Sequence, residues 1–151
     1  MMKKGILLAL CVFVVSCASF QQKRYSHSTE QVIDLINRAQ SGKLSTVTQT
    51  PFLLDSEIII LDSDMKDFWE KITEAEFLIP YTFFMESSPV NKNTYKEFAP
   101  TMEAESFFEK YVTDKAYLVV VETETMRIKF LMDRVKFGTM RIIGMKGPES
   151  L

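Results

Sequence analysis

One histidine, twenty carboxylates and five tyrosines are what this 151-residue chain holds for acid–base chemistry. A nucleophilic relay or a histidine-ligated zinc needs an imidazole fixed in a folded site. The single imidazole, His27, stands in a polar stretch from Ala18 to Ser28 that has no apolar periodicity. That stretch reads as a tether, with His27 solvated and inert. The glycines are scattered at Gly5, Gly42, Gly138, Gly144 and Gly147, so there is no glycine-rich loop to wrap a phosphate. Carboxylates remain. Asp55, Glu57, Asp62, Asp64 and Asp67 are dense, but a calcium loop counted from Asp62 needs glycine where Asp67 stands and glutamate where Thr73 stands. These acids read instead as helix starts and a solvated face. No catalytic residue, metal site or cofactor is expected.

The other reactive group is a thiol. Lys3 and Lys4 precede an apolar run from Ile6 to Val15, which closes on Ser16 and Cys17. The run is about half the roughly 20 residues needed to span a bilayer as a helix, so it reads as an export signal rather than an anchor. Val14-Val15-Ser16-Cys17 resembles the lipobox of bacterial lipoproteins: aliphatic residues, a small residue, then cysteine. Cys11 is the competing cysteine, but Leu10 is too large for the small-residue position before it. The resemblance implies cleavage before Cys17, acylation of Cys17, and residues 1–16 as signal peptide with 17–28 as lipidated tether. Two or three acyl chains hold firmly at about 0.8 kcal/mol per buried methylene. An ordinary secretory signal with a chance cysteine is the alternative.

Removal of those 16 residues from 151 leaves 135, enough for one domain with a real core, taken as residues 29–151. Loss of Lys3 and Lys4 leaves 16 basic against 20 acidic residues, a net charge near −4. That balance argues against nucleic acid as a partner. Cys11 lies in the signal and Cys17 would be acylated, so packing rather than a disulfide must hold the domain.

The elements that would position a site follow from periodicity. Ser28 with Gln31 has the form of a capping box before Val32, Ile33, Leu35, Ile36 and Ala39, which predicts a helix over 29–40 ended by Ser41 and Gly42. Residues 43–50 read as a short helix or a loop. Phe52–Leu54 and Glu57–Leu61 form a hairpin around Asp55 and Ser56, and Ile58–Leu61 is apolar enough to be covered on both sides. Asp62, Ser63 and Asp64 offer oxygens to a second helix that carries Met65, Phe68, Trp69 and Ile72 to about Ala75. A strand over 77–84, an exposed loop over 86–93 and a helix over 102–112 come next. Runs 115–123, 126–134 and 139–145 then pair as an antiparallel meander. In the middle run Ile128, Phe130 and Met132 make one face apolar and the other mixed. Val119, Val120 and Val121 suggest a central strand whose second face is partly covered.

This order of helix, hairpin, helix and terminal meander resembles the nuclear-transport-factor-like superfamily. It implies an α+β fold in which N-terminal helices pack on a curved, mainly antiparallel sheet, a cone-shaped roll with an apolar pocket at its open end. Ketosteroid isomerase-like members use a carboxylate base with tyrosine donors, and Tyr81, Tyr111 and Tyr117 are the matching candidates. No spacing ties them together.

Aromatic and methionine content points elsewhere. Phe84, Phe107, Tyr111 and Phe130, with neighbours such as Phe83, Met85 and Met132, either fill the core or line an apolar cavity rimmed by the 86–93 loop. The expected protein is a non-enzymatic lipoprotein of the cell envelope, in the outer membrane or at the surface of a double-membraned cell. It would bind an apolar small molecule or an envelope partner protein. An isomerase or dehydratase-like enzyme and a purely structural assembly lipoprotein are the alternatives.

Overall fold

The computed structural model describes residues 23–134 and 140–151. The lipobox, Cys17 and the first part of the expected tether lie outside the described residues. The fold is α+β. Among the described residues, four α-helices pack on one open six-stranded sheet of order β2-β1-β6-β5-β4-β3. In chain order these are α1 (residues 23–37), α2 (Ser41–Val47), β1 (Thr48–Leu54), β2 (Glu57–Ile59), α3 (Asp62–Glu74), β3 (Phe84–Pro89), α4 (Met102–Tyr111), β4 (Tyr117–Glu122), β5 (Met126–Arg134) and β6 (Met140–Ser150).

Residues 23–28, read from sequence as tether, are helical, and Tyr25 is buried. Ser28 therefore stands inside α1 and does not begin it. The helix expected to reach residue 40 stops at 37 and closes in a turn at Ala39, whose φ is 54°. There the Ala39 N–H donates to the Ile36 carbonyl (2.9 Å) and the Gln40 N–H to Leu35 (3.0 Å), a closing turn that satisfies the last carbonyls. The same turn ends α3 at Glu76, φ 51°, where the Glu76 N–H donates to Thr73 and the Phe77 N–H to Ile72. At its other end α3 has no side-chain cap. Asp62 and Asp64 lie in its first turn, where they favour the positive end of the helix dipole.

The hairpin forms as expected, with Asp55 at φ 52° in its turn. Its second strand is only three residues long and lies at the sheet edge, so Ile60 and Leu61 are exposed rather than covered. Residues 77–83 are irregular, and the strand falls later, at Phe84–Pro89, where a loop was expected. Pro89 lacks an N–H, but an edge strand leaves half its backbone groups unpaired in any case. Pairing of Phe84 with Glu122 through Pro89 with Tyr117 settles the register.

The meander β4-β5-β6 is antiparallel, and β6 runs on to Ser150. On its far side β6 meets β1 in parallel, with Leu53 beside Gly144, so the last strand joins the first hairpin to the meander. Both sheet faces are buried. α1, α2 and α3 cover one, where Ile33, Trp69, Phe52, Val119, Phe130 and Met132 form the larger cluster. α4 covers the other, with Phe107, Phe98, Leu53, Leu118, Leu131 and Ile143. The mixed face of β5 is thus buried too. There Lys129 donates to the Glu97 carboxylate (2.9 Å) and carbonyl (3.2 Å). Asp133 accepts from the Thr113 N–H (2.9 Å) and hydroxyl (2.8 Å) and from the Arg134 N–H (2.6 Å). Buried charges persist only when so satisfied.

Candidate functional site

The four residues read as lining one cavity are divided by the sheet. Phe130 is fully buried in the cluster beneath α1 and α3, whereas Phe107 is fully buried beneath α4 on the opposite face. Tyr111 joins Phe107, with ring centroids 5.5 Å apart, but is 46% exposed. Phe84 opens the edge strand β3 and is 66% exposed. Only Phe107 and Tyr111 are brought together. The period-2 alternation of β5 placed Phe130 correctly on a face, but no sequence signal told which face α4 would take.

The tyrosines do not converge either. Tyr117 lies in the core, stacked on Tyr25. Tyr81 is exposed, its hydroxyl 3.4 Å from the Asp34 carboxylate. His27 is exposed, within hydrogen-bond reach of Gln31 (3.2 Å) and 3.8 Å from Glu30. Of the acid-rich segment, Asp55 accepts from the Gly147 N–H (3.0 Å) and Asp62 from the Thr50 hydroxyl, so both hold loops in place. Among the described residues no group of three or more His, Cys, Asp or Glu side chains is placed to hold a metal.

A groove of about 640 Å³ lies between α1 and the sheet. Val32 and Leu35 recur on one side of α1, and Met132 of β5 lies opposite Ile142 of β6. With Val47 at the end of α2 and Met140 at the start of β6, they make an apolar floor. Helical periodicity then sets Glu30, Gln31, Asp34 and Arg38 along the rim. Arg38 Nε donates to Asp34 at 2.8 Å, so the rim's one arginine is already paired. The volume falls within the range of about 300–1,000 Å³ usual for small-molecule sites, and unbranched methionines let such a floor adapt. Met132 belongs to the apolar set expected from sequence, but the expected cavity rim is residues 86–93. Those residues border a different groove.

No protein-family model, curated protein or solved structure matches the chain. Among the described residues no helix is long and apolar enough to cross a membrane.

Proposed function

We propose that the protein is a lipid-anchored, non-enzymatic component of the bacterial cell envelope that takes up an apolar small molecule between α1 and the sheet. The observation that carries this reading is the groove itself: an apolar floor with two methionines, bordered by polar side chains of a single helix. A ligand with an apolar body would remove that floor from water at roughly 25 cal/mol per Å² while its polar end stayed at the rim. Supporting the envelope placement are the lysines, short apolar run and Val14-Val15-Ser16-Cys17 of the N-terminus.

The test is native mass spectrometry of the Cys17→Ser chain, purified gently and measured before and after organic extraction. A retained apolar mass that extraction removes supports the reading. An empty protein that also fails to take up the fluorophore N-phenyl-1-naphthylamine overturns it and shifts weight to a structural or assembly role.

A second reading, isomerase or dehydratase chemistry, draws on Asp34 of the groove rim and the Tyr81 hydroxyl beside it. Asp34 would be the base and Tyr81 the donor. Against it, Arg38 already occupies the oxygen of Asp34 that Tyr81 approaches. Deuterium exchange α to the carbonyl of a bound cyclic ketone, abolished in Asp34→Asn, is the result that would favour it.

A further inference from the structure

The opposite face carries a second groove, about 570 Å³, between the turn that follows β3 and the outer side of α4. Its floor is apolar: Val90, Tyr95, Phe108 and Val112 are each half-buried against the smaller cluster. Its rim is acidic, with Glu105, Glu109 and Asp114 against the single Lys92. Glu105 and Glu109 are four residues apart on α4, so they share a side of the helix beside Phe108. Among the described residues none of the three carboxylates takes part in an ion pair within 4.0 Å.

Two further observations report the field in this groove. The Tyr95 phenol is pushed above its ordinary value, first by partial burial and then by the nearby carboxylates of Glu105 and Glu109. Such a field disfavours a new negative charge and favours a cation. The chain's own Lys96 already places its Nζ 5.8 Å over the Tyr95 ring.

We infer that this groove docks a basic peptide segment of a partner protein, with lysine or arginine stems lying on Phe108 and Val112 and their charged heads meeting Glu105 and Glu109. Lysine and arginine suit such a surface because each has an apolar stem and a charged tip. The same rim repels phosphate-bearing partners, so neither nucleic acid nor an anionic lipid surface fits it. This proposal does not depend on the groove under α1, which lies on the other side of the sheet.

The test is fluorescence anisotropy with a labelled short peptide of alternating Lys and Leu, titrated into the purified whole chain. Saturable binding is expected, weaker at high salt. It should weaken by about tenfold or more in the double variant Glu105→Gln/Glu109→Gln. The control, Glu70→Gln/Glu74→Gln, removes as much charge from α3 and should leave binding unchanged. Circular dichroism melts of both double variants should match the parent. Absence of saturable binding, equal binding of a Glu/Leu peptide, or equal weakening in the two double variants would each overturn the proposal.

Discussion

Tyr25 and Tyr117 stack with ring centroids 4.2 Å apart and planes inclined by 21°, which keys the start of α1 to the first residue of β4. The Tyr25 hydroxyl donates to the Lys115 carbonyl, so ring and oxygen hold the same corner. Burial, and next the Asp133 carboxylate, push this phenol up to about 12. The unfolded chain has the ordinary value of about 10. Because the native state holds the proton more tightly, this contribution to stability is full below pH 10 and is lost as pH rises toward 12. Melting temperature should fall across that window, and Tyr25→Phe should flatten the fall. At neutral pH the same variant should cost about 1 kcal/mol for the lost hydrogen bond.

Ala39 and Glu76 close their helices with φ near +50°, a conformation that strains any side chain with a Cβ. Ala39→Gly and Glu76→Gly should each stabilise the fold by about 0.5–1 kcal/mol in urea titrations. A loss of stability at both sites would mean that these turns are not left-handed in solution.

Gly144 lies between Leu53 and Leu131, and a Cβ there would meet the Leu53 carbonyl oxygen at 3.1 Å and the Leu131 Cβ at 3.3 Å. Gly144→Val should destabilise by about 2 kcal/mol, read as a lower urea midpoint with unchanged slope.

Leu35 reaches the floor of the α1 groove from a half-buried position. Leu35→Glu should cut uptake of N-phenyl-1-naphthylamine by about tenfold or more and lower the melting temperature only slightly. Phe107→Ala should do the reverse, costing about 3–5 kcal/mol of stability. Its ring belongs to the buried cluster on the other face.

Cys17 is tested in cells. The parent should incorporate labelled palmitate and accumulate as precursor under globomycin, which blocks lipoprotein signal peptidase, whereas Cys17→Ser should do neither. Labelling that persists in Cys17→Ser would remove this cysteine as the lipid carrier.

The parts of the fold that were legible in sequence are those where local pattern and packing agree. Trp69 and Met65 of α3, the Asp55-Ser56 turn and the alternation of Ile128, Phe130 and Met132 were all readable because one periodicity decides each. Helix ends were not, because Ala39 and Glu76 do in this chain what glycine usually does. Tyr25 was missed for a different reason: its partner Tyr117 is 92 positions away, and only tertiary contact makes a polar stretch helical. Strand β3 was read as a loop because Ser87, Ser88 and Pro89 favour turns, a preference overridden by pairing with β4. The α1 groove was half visible. Met132 was flagged, but its opposition to Ile142 and its place under Leu35 depend on which helix crosses the sheet.

The parallel seam between β1 and β6 also bears on when the molecule can fold. A chain emerging from its amino end forms α1 to β2 early, but those elements have no strand to join until residues 140–150 arrive. Until then the hairpin and the β3-β4-β5 piece are separate fragments, each with an open edge. Closure over so long a stretch of chain is slow compared with local contacts. Both halves of the sheet therefore depend on the last strand, β6, to be joined into one.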